Sequence, residues 1–391
     1  TQGVSSAASD VYKRQALLKF APRYWLTFCS FSWGLLTLVL YKVTNYRQLC
    51  IIRFFQALFE SSTFSGTHFI LGSWYKECEL TKRSAVFTSS GLIGSMFSGF
   101  MQSAIHNSLD GANGLAGWRW LFIIDFIITI PISLYGFICF PDVPVRCNTL
   151  FFTPEERHLA ISRLPLKAAT KLDVGVFKRV FGRWHWWLFT LLWAISGENE
   201  AFVTNSLFAL WLQAEGYSIS QRNNYPIGVY AIGIISTFFS SLYVDATGAK
   251  YHWHVAIWIT TVMFVSTMLM LFKPLTKSYV FAAHYLSGVC FSGQSTFFAW
   301  VNVFCYNDLE ERSIILASMN MFSSAVNAWW PLLFYKASSA PKFRPGCYAM
   351  LSTIFSSLVV AAVIRYLQLK EEKKKSVILV RENLEMQKIA N

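Results

Sequence analysis

Long apolar runs separated by short polar turns fill most of this chain, and one polar stretch is far longer than the others. Residues 142–183 are polar and mostly basic, with apolar runs on both sides. A run of about twenty apolar residues matches the hydrocarbon thickness of a bilayer, and a polar stretch of this kind cannot cross one. Before it, the pattern predicts spans at 24–41, 49–75 and 84–105 and a fourth ending at 140. After it come 184–211, 225–244, 253–272, 279–306, 313–335 and 348–367. The expected fold is therefore an all-α membrane protein with about ten transmembrane helices.

The stretches between spans carry their own signals. Lys76-Glu-Cys-Glu-Leu-Thr-Lys-Arg83 is expected as a tight charged connection. Residues 106–118 are rich in turn formers, and Gly117-Trp-Arg-Trp120 is an aromatic–basic anchor suited to headgroup level. Inside the central stretch, Thr153-Pro-Glu-Glu156 supplies an N-cap, a proline at the first helical position and a glutamate three residues after the cap. A short amphipathic surface helix is expected there. Residues 370–391 form a charged tail. Residues 1–15 lack a long apolar segment, so they are not a signal peptide. They match nothing that follows and read as a tag, a cloning scar or an assembly artefact.

Composition agrees with the pattern. Of 391 residues, 54% are hydrophobic and only 14% charged, against about 25% in soluble proteins. The net charge of +13 would suggest a nucleic-acid partner in a soluble chain. Here the basic residues sit in loops and in the tail, where they report topology, and placing 142–183 and both ends in the cytoplasm puts most of them inside. The 8 cysteines form no CxxC pair, so neither a metal site nor a disulfide framework is expected. No nucleophile elbow or phosphate loop appears, so neither an enzyme nor a cofactor is expected.

Ionisable groups inside a span cost roughly 2.5–3.5 kcal/mol each, which makes each a functional candidate. The span at 49–75 holds Arg53 and Glu60, seven residues apart and so on one helical face, with Gln56, Thr63 and Thr67 beside them. The bland alternative is an internal ion pair joining helices. Ser196-Gly-Glu-Asn-Glu200 places Glu198 and Glu200 in an apolar run, with Asn205 one heptad after Glu198. Carboxylates in a dry site can take up protons near neutral pH. Alternatively this pair lies at headgroup level. Gln294, Asn320 and Asn327 are candidate solute contacts, although amides also join helices. Asp125 is a weaker candidate that could simply pair with Arg119, and His284 reads as a helix contact. Gly91, Gly94, Ser95, Ser98 and Gly99 read as a helix-packing surface rather than a solute contact.

Two stretches resemble signatures of the major facilitator superfamily. Ser241-Leu-Tyr-Val-Asp245-Ala-Thr-Gly248-Ala-Lys250 is similar to its motif Gly-x-x-x-Asp-x-x-Gly-x-Arg/Lys, with serine for the first glycine. Leu49-Cys-Ile-Ile-Arg53-Phe-Phe-Gln56-Ala57 resembles Leu-x-x-x-Arg-x-x-Gln-Gly. The resemblance implies that Arg53 is the buried arginine associated with proton coupling, and that Asp245, Gly248 and Lys250 form the cytoplasmic conformational motif. The Gly-Pro signature of proton antiporters is absent, which favours uptake over drug export.

Finer resemblance is to the fungal anion:cation symporter branch, the allantoate permease group. It rests on Arg53-Phe-Phe-Gln-Ala-Leu-Phe-Glu60, Gly72-Ser-Trp-Tyr75, Gly117-Trp-Arg-Trp-Leu-Phe-Ile-Ile-Asp125 and Phe140-Pro-Asp142. Within the branch the chain is most similar to pantothenate transporters, with allantoate, nicotinate and biotin carriers as relatives. The resemblance implies a proton-coupled symporter of a small organic anion, monomeric, in the plasma membrane. A receptor that signals without transporting is the competing expectation, motivated by the basic loop and charged tail. The family has six spans on each side of its central loop. The expected organisation here is an N-terminal bundle at 16–141 lacking its first two spans, the loop 142–183, a six-helix bundle at 184–369 and the tail.

Overall fold

The computed structural model describes residues 21–75, 77–144, 147, 153–162, 174–204, 206–271, 276–305 and 308–390. Among them, α1 (Pro22–Val39), α2 (Tyr46–Trp74), α3 (Glu77–Ser108) and α4 (Gly117–Cys139) precede the central stretch. Two short helices lie within it, α5 (Pro154–Ser162) and α6 (Val174–Phe181). Next come α7 (Trp184–Thr204), α8 (Leu207–Ala214), α9 (Ile219–Asn224), α10 (Ile227–Ala246) and α11 (His252–Leu271). The chain continues through α12 (Lys277–Ser287), a 3₁₀ turn (Gly288–Phe291), α13 (Ser292–Phe304), α14 (Leu309–Asn327), α15 (Trp330–Phe334) and α16 (Arg344–Ala390). No strand occurs among the described residues.

These helices join into rods that follow the expected spans. Among the described residues, five rods are long and apolar enough to cross a membrane: Pro22–Lys42, Gly117–Cys139, Ile219–Ala246, His252–Leu271 and Arg344–Lys374. The others fall short for physical reasons. α2 carries Arg53 and Glu60, and α3 opens on a charged turn. The rods α7–α8, α12–α13 and α14–α15 are interrupted, at Ser206 (φ 57°), at the 3₁₀ turn and at Trp329–Pro331 respectively. Interrupted helices are a common device where a transporter must leave backbone polar groups near a solute.

Local expectations met the structure in three ways. The Thr153 box forms as expected: the Thr153 amide donates to Glu156 at 2.9 Å and the Glu156 amide to Thr153 Oγ1 at 3.2 Å. The loop after α3 turns through Gly111 (φ 82°), Asn113 (φ 52°) and Gly114 (φ 69°), and Asp110 accepts from the Gly117 amide at 2.7 Å to close it. The charged stretch 76–83, by contrast, is mostly the first turns of α3, because its residues favour helix where nothing forces a turn. α6 was not anticipated. Its apolar residues Phe177, Val180 and Phe181 line one helical face, and Val180 is fully buried.

Packing is uneven. α1 lies against both α2 and α4, and Arg23 at its start donates to the carbonyls of Phe137 and Ile138, both at 2.6 Å, at the C-terminal end of α4. α7 packs on α14 and α16, and α11 on α12 and α16. The largest buried cluster lies almost wholly in α7 to α16, around Phe189, Phe202, Met263, Met319 and Met350. Leu92 of α3 joins it, and α3 packs along α10 and α13. Gly288 lets α10 approach: a Cβ there would overlap the Val229 carbonyl oxygen. Large apolar side chains such as Ile132, Tyr135, Phe239, Trp258 and Phe355 are exposed on the outside, as a lipid-facing surface requires.

Candidate functional site

α2 presents its charged pair on an uncovered face. Arg53 and Glu60 are exposed, as is Thr63, and the two charges lie within electrostatic reach of each other without a direct ion pair. Gln56 departs from this face. It is 3% exposed and turned toward α1, donating to Thr37 Oγ1 at 2.8 Å, while its own Oε1 has no partner. α1 covers one edge of the polar stripe and leaves the other open.

α7 buries Glu198 and half-buries Glu200. Glu198 is 1% exposed, and neither of its oxygens has a hydrogen-bond partner; Glu200 Oε1 also has none. Two residues apart on a helix, the pair points in different directions. Glu198 lies within electrostatic reach of Tyr335 and Glu200 within reach of Cys290. A buried carboxylate without a donor is expensive while charged, so something must neutralise it whenever the site is dry. Between them, Asn199 accepts from Thr353 Oγ1 at 2.7 Å and ties α7 to α16. A pore of about 10 Å³ beside Ser196, Asn199, Cys290 and Ser357 has room for about one water.

The larger cavity, about 250 Å³, lies between α3 and the helices that follow the central stretch. α3 contributes Ser95, Ser98, Gly99 and Gln102; α9 contributes Arg222 and Asn223; α10 contributes Tyr230; α12 contributes His284 and Ser287; Val203, Ser206 and Phe208 come from the α7–α8 break. Thus Ser95 and Ser98, expected only to pack, line the cavity. Gly99 does approach α9 closely, whereas a Cβ on Gly91 or Gly94 would meet nothing within 4 Å. Gln294 and Asn320 are half-buried and Asn327 is exposed; none of them lines this cavity. Asn205 lies outside the described residues. Asp125 is half-buried and makes no ion pair with Arg119 among the described residues; the Arg119 guanidinium stacks on Trp118 at 4.8 Å instead.

Polar links hold α3 at both ends. Near its start, Lys82 pairs with Asp245 at 3.6 Å. The turn after Asp245 runs through Gly248 (φ 66°), where glycine is the residue that adopts this backbone without strain, and Lys250 is exposed. Near the far end of α3, Ser103 Oγ donates to Asn224 Oδ1 at 2.9 Å, and Asn107 meets Ser220 at 3.4 Å. A third cluster lies where α6 and α7 meet α14 and α16. Arg179 pairs with Asp308 (3.1 Å) and Glu310 (3.0 Å), and Arg183 with Asp308 (3.3 Å) and Glu311 (2.5 Å). His185 bridges Glu311 (2.7 Å) and Glu371 (3.1 Å) through its two ring nitrogens. Cys305 brings a third metal-ligand type near His185 and Glu311. Glu311 is already engaged by His185 and Arg183, so the cluster reads as an ion-pair network.

Sequence reasoning missed Arg222, Lys82 and this network. Arg222 sat in a short polar turn with no motif to single it out; its neighbours Ser218 and Gln221 do form a capping box. Charge partners separated by more than a hundred positions leave no local pattern.

Comparisons with known proteins fit this architecture. The family model described as Major Facilitator Superfamily matches residues 15–331. The chain is 55% identical over 92% of its length to the pantothenate transporter FEN2 of Saccharomyces cerevisiae, covering 72% of that protein. It is 36% identical over 96% of its length to the pantothenate transporter liz1 of Schizosaccharomyces pombe, covering 75% of it. Among solved structures, the proton:xylose symporter XylE superposes with a TM-score of 0.69 at 12% identity, over 93% of this chain and 84% of that one. Ten helical rods among the described residues, interrupted helices facing a polar cavity and a matching family model together place the chain in the major facilitator superfamily, to which it belongs.

Proposed function

We propose that this protein is a secondary active transporter that takes up pantothenate, coupled to protons. The observation that carries the reading is the 55% identity to a yeast pantothenate transporter over nearly the whole chain. The site chemistry supports it. A cavity of polar and aromatic groups between α3 and the later helices suits a small polar solute. Carboxylates at Glu198 and Glu200, held among apolar helices, suit proton traffic.

In this reading Arg53, Glu60, Glu198 and Glu200 handle protons or balance solute charge. Gln56, Asn205, Gln294, Asn320 and Asn327 are solute contacts in states the cavity passes through. The regions 16–141 and 184–369 rock about the solute, with Asp245, Gly248 and Lys250 at the hinge end. The basic central loop and the tail face the cytoplasm, the membrane is the plasma membrane, and one copy is the working unit.

The test is uptake of labelled pantothenate by cells or liposomes carrying the protein, at pH 5 and pH 7.5. Faster, uncoupler-sensitive accumulation at pH 5 is expected. Absence of uptake at both values, with normal membrane insertion, would overturn the solute assignment. Equal uptake at both, insensitive to uncoupler, would overturn the coupling.

A further inference from the structure

Among the described residues, the cavity between α3 and the later helices is lined by a single cation, Arg222. Arg222 sits in the last turn of α9, where its Nε donates to the Tyr217 carbonyl at 2.8 Å. That bond aims the guanidinium and leaves its two terminal amino groups with no partner among the described residues. No aspartate or glutamate among the described residues lines the cavity. The nearby acidic side chain Glu215 is paired with Lys277 at 3.4 Å. A half-buried guanidinium facing a polar cavity that has no anion has two amino groups ready for a planar two-oxygen acceptor.

The rest of the wall indicates what else the occupant carries. Gln102 donates to Ser98 at 3.1 Å, which leaves the Gln102 carbonyl oxygen and the Ser98 hydroxyl hydrogen for a solute. Asn223 adds a second amide, and Tyr230 a ring with a hydroxyl. His284 is 2% exposed and lies between the rings of Phe202 and Phe208, at 5.2 and 4.5 Å, and its Nε2 has no partner. A clamped imidazole with an unmet nitrogen makes this wall incomplete without an occupant.

We infer that Arg222 is the carboxylate anchor of the transport cavity. It selects small monocarboxylates that carry hydroxyl or amide groups, over neutral analogues and over dicarboxylates. One guanidinium balances one carboxylate, and a second would be buried without a counter-charge. The inference rests on the transporter reading and deepens it.

The experiment measures binding and uptake of labelled pantothenate by the purified, reconstituted protein. Competitors are panthenol, in which an alcohol replaces the carboxyl group, and succinate as a dicarboxylate. In the wild type, pantothenate competes at least about ten-fold better than either. Arg222→Gln weakens pantothenate by about ten-fold or more in KM, while the inhibition constant for panthenol stays within two-fold. Arg222→Lys, which keeps the charge and loses the fork, is intermediate. Ser95→Asp, at a lining position whose hydroxyl donates to the Gly91 carbonyl of its own helix, puts a fixed carboxylate in the cavity with α9 untouched and weakens pantothenate without weakening panthenol; this variant guards against misfolding of the Arg222 variants. Equal losses for acid and alcohol, or no loss in Arg222→Gln, would overturn the inference.

Failure of the pantothenate reading is separable. Should the wild type not take up pantothenate, melting shifts with nicotinate against nicotinamide, and biotin against biotinamide, still test the anchor. Shifts by acids only, lost in Arg222→Gln, uphold it. The absence of an acid-specific shift in the wild type overturns it.

Discussion

Glu60 and Gln56 lie four residues apart on α2 yet have opposite surroundings, one exposed and one closed against Thr37. In the proposed mechanism an exposed carboxylate near Arg53 exchanges its proton during the transport cycle. Glu60→Gln is therefore expected to abolish proton-driven accumulation and spare exchange of internal for external solute. Counterflow and accumulation assays on the same liposomes read the two separately, and unchanged accumulation would remove Glu60 from the mechanism. Glycines divide in a similar way. A Cβ at Gly288 would strike the Val229 carbonyl, so Gly288→Ala must part α10 from the 3₁₀ turn and is expected to cost about 1–3 kcal/mol. Gly94 has open space around its missing Cβ, and Gly94→Ala is expected to be neutral, or stabilising by up to about 1 kcal/mol from helix propensity. Melts of the two purified variants in detergent check the contrast.

Among elements, the junction of α6 and α7 with α14 and α16 depends on charge, and its members are unequal. Glu311 is 2% exposed and shared by Arg183 and His185. Glu310 is more open and pairs with Arg179, itself 44% exposed. Glu311→Gln leaves a cation and an imidazole without their common partner in a nearly dry position, at an expected cost of about 1–3 kcal/mol. Glu310→Gln removes a solvent-screened pair and should cost under about 1 kcal/mol. Denaturant or thermal melts of both variants order them; equal losses would mean that the network is held by packing. The Trp184 indole, which donates to Glu371 at 2.8 Å, adds one of the few side-chain ties from α7 to the long α16.

At the scale of the whole molecule, α3 is the element that both ends grip. Lys82–Asp245 lies at one end and Ser103–Asn224 at the other. In the proposed alternating-access cycle, a solute crossing between α3 and the later helices would require these contacts to break one at a time. Cysteines at Ser103 and Asn224, whose side chains touch at 2.9 Å, are expected to cross-link under mild oxidation. The cross-linked protein should lose uptake, and reduction should restore it. Uptake that survives full cross-linking would show that α9 and α3 move as one body.

Several features were legible in the chain itself. Apolar runs of about twenty residues give the rods, because a single run of that length satisfies its own backbone in lipid by forming a helix. Thr153 and Glu156 announce a helix start, because their bonds are local in sequence. The turn glycines announce the loop after α3 for the same reason. The cavity was not legible in this way. Helical period says that Ser95, Ser98 and Gln102 lie near one another on α3, and it cannot say whether lipid, a helix or a solute covers them. That was decided by the packing of α3 against α9 and α10 and of α10 against α12, which brings Arg222 and His284 to the same space. Likewise α1 closes over Gln56 and leaves Arg53 and Glu60 open. Sequence alone set where the chain crosses the membrane and which polar groups it carries there, because those costs are local. Tertiary structure decided which of those groups meet, because long-range packing chooses the neighbour of each helical face.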